Sequence, residues 1–265
     1  MNNDYLYRDR EWIYNQFVNL GKECREIAKE NGWSARVVQK WANEKYGFNH
    51  NFRRDNFKPN EIQLQIIYAG ILDDGCLSQR KDIDFTQYIF VQAEEHKDYI
   101  EWIFNNLKNM CKHKDLAYTP SCKKPFKKDY EGTIKYFDVQ GTYRLSTRGY
   151  KFLKDIKYLS RYEIIDRMND MPIGLYFLDD GYKNESHTWS LCMGNMNETE
   201  VNYFINKLNS MGIHHKSIYL HHSRSIRGKF YYYLKFDKEN SNIIDKIILK
   251  YLPRDLDIIK KKVGV

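Results

Sequence analysis

Cysteine is scarce and unpaired in this chain: Cys24, Cys76, Cys111, Cys122 and Cys192 are odd in number, and no two form a Cys-x-x-Cys. That favours reduced thiols in an intracellular compartment over a disulfide framework. Cys111, His113 and Cys122 have metal-ligating chemistry, yet no fourth ligand is spaced to complete a tetrahedral zinc site. Apolar runs are short. None approaches the roughly 18 residues that a membrane-spanning helix needs. The opening MNNDYLYRDREW carries charges where a secretory leader needs an apolar run, so a cytoplasmic setting is expected, in a bacterial host or phage-infected cell or in an organelle. Acidic excess is lacking too: 43 Lys and Arg against 35 Asp and Glu leave a net charge of +8, with a pI near 9.0. A polyanion is therefore the first partner to consider, although basicity by itself is weak grounds.

What is present is a globular composition, 265 residues with 42% apolar and 29% charged, enough for one or two domains and an appendage. The most informative feature is a phrase said twice, YAGILDDG at 68–75 and GLYFLDDG at 174–181. Each is an apolar run that reads as a helix and ends in two aspartates and a glycine. A carboxylate at a helix C-terminus faces the negative end of the macrodipole, at a cost of about 0.3–1 kcal/mol. Placing Asp73–Asp74 and then Asp179–Asp180 there needs a reason, and a divalent cation between two helix ends supplies one. One copy alone reads equally as a helix end with its glycine in the left-handed conformation. Asp74 and Asp180 stand 106 residues apart, a spacing that suits two domain-sized halves.

Residues 9–47 read as all-helical. After an amphipathic stretch from Arg10 to Leu20, Ala28, Gly32, Val38 and Trp41 follow the pattern of a helix-turn-helix: a small residue at the crossing, a glycine at the turn, and apolar locks on the last helix. Trp33, Val38 and Trp41 are expected in the core. A plain three-helix bundle fits the same pattern. If the segment binds DNA, Ser34, Ala35 and Arg36 open the recognition helix, with Gln39 and Lys40 one turn on. Residues 50–60, HNFRRDNFKPN, read as a basic linker that could lie along a phosphate backbone through Arg53 and Arg54.

Beyond it, the halves repeat in layout. FTQYIFVQ (85–92) and HTWSLCMGN (187–195) read as strands, and the segments 96–109 and 198–212 as matching helices. Tyr-rich strand pairs are expected at 132–147 and 215–236, and closing helices near 148–158 and 240–250. The result is an α+β protein with pseudo-twofold symmetry, preceded by a small all-α domain. The expected divisions are 1–50 for the helical domain, 51–60 for the linker, and 61–160 and 161–265 for the two halves.

These residues resemble the single-chain LAGLIDADG homing endonucleases over 61–265. The resemblance implies two motif helices packed side by side through small residues, here Ala69, Gly70 and Gly174. It implies that the acid before each final glycine, Asp74 and Asp180, is catalytic and binds metal, while Asp73 and Asp179 cap the helix ends or support the ligands from behind. Mg²⁺ is the ion implied, two or three ions in all, with Mn²⁺ as a substitute. A lysine is expected near each site: Lys157, which lies 23 residues before Asp180, and Lys260, with Lys261 as its competitor. The Tyr-rich strands would form saddle-shaped antiparallel sheets lining a DNA groove, with Arg144, Arg148, His221, His222, Arg224, Arg227 and Lys229 as contacts. The activity implied is that of a monomer cutting both strands of a long double-stranded DNA target, leaving short 3′ overhangs, encoded by a mobile element. A regulator that binds DNA without cutting it, and a splicing maturase that binds RNA, share this fold; retention of both Asp74 and Asp180 favours cleavage.

Overall fold

In the computed structural model, which describes residues 3–79, 84–128, 134–194, 196–222 and 230–264, the chain opens with short helices around a small apolar centre. Helix α1 (Arg10–Tyr14) starts at Asp9, whose carboxylate accepts from the backbone of Glu11 and Trp12, and continues as wider turns to Asn19. Helix α2 (Cys24–Asn31) begins with a reciprocal cap between Glu23 and Glu26 and ends at Gly32, whose φ of +71° is one that glycine adopts without strain. Ser34 then caps α3 (Ala35–Gln39), which runs on as wider turns to Lys45. Ile13, Phe17, Ile27, Ala28, Val38 and Ala42 close the centre. Trp33 and Trp41, expected inside, are instead half-exposed and pack edge-on and tilted against Tyr7. Ala42, one residue past Trp41, is the buried lock, because a wide turn shifts the inward face by one position.

The expected linker is largely a helix. Residues His50–Asn56 form α4, capped by Asn49, and Arg53 within it is wholly buried. This overturns its reading as a DNA contact: the Arg53 guanidinium donates to Glu23 (2.9 Å) and to the Lys22 carbonyl (2.7 Å). An arginine on the inward face of a short helix is held there only because a carboxylate waits for it.

Two similar units follow. The first comprises α5 (Glu61–Leu72), β1 (Cys76–Gln79), β2 (Thr86–Ala93), α6 (Lys97–Leu107), β3 (Ala117–Thr119), β4 (Cys122–Lys128), β5 (Ile134–Val139), β6 (Thr142–Ser146) and α7 (Lys151–Lys157). After α8 (Arg161–Arg167) come α9 (Asp170–Asp180), β7 (Gly181–Lys183), β8 (Trp189–Cys192), α10 (Glu198–Ser210), β9 (Ser217–His222), β10 (Phe230–Lys235), α11 (Lys238–Tyr251) and α12 (Asp257–Lys262). The antiparallel sheets have orders β1-β2-β6-β3 and β7-β8-β10-β9, the same path walked twice. The expected pair at 132–147 does not pair with itself. Strand β5 joins β4 in a separate ribbon, while β6 sits between β2 and β3. Strand β9 does pair with β10, as expected.

Helices α5 and α9 are apolar almost all round, the mark of helices enclosed on every side. Gln65 ties them together: its amide donates to the Arg167 carbonyl (3.0 Å) and accepts from the Asn169 N–H (3.0 Å) just before α9. Pro172 is tolerated in the first turn of α9, where N–H groups have no helical partner. The motif glycines face elsewhere than expected. A Cβ on Gly70 would lie 1.9 Å from the Tyr88 hydroxyl on β2, and one on Gly174 would lie 3.2 Å from Ile247 on α11. Each lets its motif helix settle against its own half. The apolar residues of the helical unit and of both halves form one contiguous core.

Candidate active site

The two LDDG ends meet. The first motif leaves the helix at Leu72, and Asp73 takes a non-helical conformation (φ −129°, ψ −116°), whereas the second stays helical through Asp180. Neither Gly75 nor Gly181 is left-handed. Their role is space: a Cβ on Gly75 would lie 2.8 Å from the Gly70 carbonyl, and one on Gly181 would lie 2.3 Å from the Phe177 carbonyl.

The four carboxylates pair crosswise between the helices. Asp73 hydrogen-bonds to Asp180. Asp74 and Asp179 share the Gln92 amide, which donates to both, at 3.1 and 3.3 Å. The Tyr99 hydroxyl donates to the other Asp179 oxygen at 3.2 Å. Burial, then the charges of Asp179, Asp180 and Asp74, hold the Asp73 carboxyl far above its ordinary range. Burial also raises Asp74 and Asp179, and lifts Asp180 to about 6. The second Asp73 oxygen is buried with no hydrogen-bond partner among the described residues. Lys262 supplies the nearby positive charge. Its ammonium donates to the carbonyls of Leu178, Asp179 (3.2 Å) and Gly181 (2.9 Å), capping α9 where cations are favoured.

The donor set fits a hard divalent cation: carboxylates and an amide carbonyl, all oxygen, with one orphaned oxygen and too little positive charge. Among the described residues, no group of three or more His, Cys, Asp and Glu side chains is already arranged to ligate a metal.

Other expected residues are scattered. Lys157 ends α7 exposed, on Gln79 (3.3 Å). Lys260 is exposed and paired with Asp257 (3.1 Å), and Lys261 lies 3.8 Å from Glu95, so both leave the helix end to Lys262. The reason is helical phase: Lys262 follows Ile258 and Ile259 by four and three positions, on their buried face. Ser34 offers its hydroxyl to the Val37 N–H, and Arg36, Gln39 and Lys40 are exposed beside half-buried Ala35. Arg54 is half-buried and Arg144 exposed; Arg148 is drawn to Glu23 (3.0 Å) and the Cys111 carbonyl (2.8 Å). On the second sheet, Tyr219 stacks on Tyr233 at 5.2 Å and His221 meets Tyr233 edge-on at 5.7 Å. His222 ends β9; Arg224, Arg227 and Lys229 lie outside the described residues.

A model of the LAGLIDADG DNA endonuclease family matches residues 64–244, which include both LDDG motifs and both sheets. The chain belongs to that family. No curated protein matches it. Among solved structures, the homing endonuclease I-WcaI bound to its DNA recognition sequence is similar over 78% of this chain and 87% of its own, with 16% identity and a TM-score of 0.54. Mesophilic variants of the homing endonuclease I-DmoI match over 72% of this chain and 96% of theirs, with 15% identity and a TM-score of 0.41. The I-WcaI likeness shows the LAGLIDADG fold for this chain. Among the described residues, no helix is long and apolar enough to cross a membrane. Three residues that contact this acidic cluster escaped the sequence reading: Gln92, Tyr99 and Lys262. Gln92 left a signal, since strand alternation puts it on the buried face with Thr86, Tyr88 and Phe90.

Proposed function

We propose that this protein is a sequence-specific endonuclease that hydrolyses both strands of a long duplex target, acting as a monomer through two nonequivalent sites and leaving short 3′ overhangs. One observation carries the reading: two LDDG helix ends converge, so that four carboxylates and one lysine meet at a single place. Asp74 and Asp180 are the proposed metal ligands. A bound divalent cation, Mg²⁺ in this reading with Mn²⁺ as substitute, supplies charge to the phosphate and lowers the pKa of a water.

The chain's own residues prepare that place. Asp73 and Asp179 cross-brace the partner motif, so neither helix end can shift alone. Gln92 orients Asp74 and Asp179 from the first half only. With Ile89 opposite Cys76 and Ser190 opposite Tyr182, its counterpart on the second half is Met193, which has no amide. That difference is the ground for calling the two sites nonequivalent. Lys262 steadies the end of α9 and offsets the acidic charge, while Lys157 and Lys260 are left to phosphate contacts.

In this reading, DNA lies across the outer faces of the two sheets, over Arg144 and over the Tyr219–Tyr233 platform. The helical unit extends to the end of α4, and the two halves meet near residue 160. Its Ser34–Lys40 face adds further contacts. The test is cleavage of a randomised or host-genomic DNA pool with Mg²⁺, comparing wild type with Asp74→Asn and Asp180→Asn. Discrete double-strand cuts that each variant abolishes or reduces to nicks support the reading. Tight, specific binding without metal-dependent cutting would sink it in favour of a regulator.

A further inference from the structure

We propose that the cleft between the helical unit and the first sheet is a seat for the DNA backbone beyond the first half of the target, so that the protein covers more duplex on that side than on the other. This rests on the DNA-cleaving reading above.

The cleft has a volume of about 700 Å³, with His50, Arg53 and Arg54 on one wall and Gln87, Arg144 and Arg148 on the other. Arg53 is buried on Glu23, the one carboxylate lining the cleft, and Arg54, Lys112, Arg144 and Arg148 are the remaining arginines and lysine around it. That carboxylate, Glu23, is already shared: one of its oxygens accepts from Arg53 at 2.9 Å and from Arg148 at 3.0 Å. Among the described residues, no carboxylate pairs with Arg54, Lys112 or Arg144. Like charges gathered without an anion repel one another, and a chain of phosphates relieves that repulsion while releasing its own counterions.

The place is not accidental in the fold. Strand register makes Ile89 and Ser190 counterparts, and pairs Ile89 with Ser146 and Ser190 with Lys235. A second cleft of about 500 Å³ lies at the matching end of the second sheet, lined by Ser190, Lys216, Lys235 and Lys238. Both sheets therefore end in a basic cleft. They differ in two ways: only the first is roofed by the helical unit, and Asp237 stands where the first half has Arg148.

The roof is fixed in place. Gly21 meets the Asn109 backbone so closely that a Cβ would lie 2.1 Å from its carbonyl oxygen, and the Asn109 side chain donates to the Asn19 carbonyl (2.8 Å). Lys114 pairs with Glu26 (2.5 Å) across the same junction. A seat assembled before binding incurs little ordering cost when the backbone enters.

The test uses the full chain and a duplex recovered from a randomised pool by binding, read by hydroxyl-radical footprinting and by the salt dependence of affinity. Wild type should protect one flank further than the other. Arg54→Gln with Lys112→Gln should shorten the longer flank alone and lower the salt slope by about 1–2. Arg144→Gln is a second variant, exposed on β6 and independent of α4 should the first pair fail to fold. Equal flanks in wild type, or variants with unchanged slope and protection, overturn the seat. Protection that responds to the variants without Mg²⁺-dependent cutting overturns the endonuclease reading and supports the seat.

Discussion

Lys262→Met isolates what one ammonium does at the end of α9. The wild-type group donates to three carbonyls, those of Leu178, Asp179 and Gly181, at the C-terminal end of α9 where helix carbonyls lack an intrahelical partner. Hydrogen bonds from a charged donor contribute about 1.5–3 kcal/mol each, but here three share one half-buried group, and methionine recovers part of the ammonium's desolvation cost. The net loss is about 2 kcal/mol, or roughly 4–8 °C in Tm for a chain of this size. Thermal unfolding of the metal-free protein at pH 7, followed by circular dichroism, reads it directly. Lys262→Arg, which keeps the charge, should recover at least half of the shift. A Lys262→Met protein that melts within about 1 °C of wild type would refute the capping argument.

Gly70→Ala should destabilise by about 1–3 kcal/mol through collision with the Tyr88 hydroxyl; Tyr88→Phe, which removes a buried hydroxyl with no partner, should be neutral alone and should offset part of that loss, as a double-mutant cycle in urea would show. Glu23→Gln leaves the buried Arg53 without its counter-charge and should cost about 2–4 kcal/mol by the same measurement. The acid cluster predicts a pH effect of opposite sign to the usual one. Asp180 is raised from 3.8 to about 6, so the folded state binds the extra proton, and metal-free stability falls as pH rises from about 4 through about 6. Asp180→Asn should flatten that fall, and Mg²⁺ should reverse it, in melting curves taken at pH 5 and pH 7.

Much of this architecture was legible because its signals are periodic. Alternation in 85–92 and 187–195 and helical spacing in 96–109 and 198–212 found β2, β8, α6 and α10 to within a few residues. The doubled LDDG pointed to the acid cluster for a physical reason, since acids at helix ends need a compensating charge. What stayed hidden depended on tertiary partners. Arg53 in a polar, proline-ended stretch looks like a phosphate ligand until Glu23 is seen thirty positions away. Lys262 could have been picked from Lys260–Lys262 by its phase against Ile258 and Ile259, but the three-residue run masks the face. Gly70 and Gly174 looked like a helix–helix contact; only the fold reveals that Tyr88 and Ile247 are the neighbours that require them.

Joining the two halves through α8 in one polypeptide has an evolutionary consequence. Two identical subunits would each have to read the same sequence, so any surface change would alter both arms of a palindrome at once. Here a substitution on β9 or β10 leaves the first sheet untouched, and the β4–β5 ribbon and the helical unit lie outside the second half altogether. Under the function proposed above, each arm of an asymmetric target could drift and be followed separately, while the shared motif helices keep the acid cluster between them.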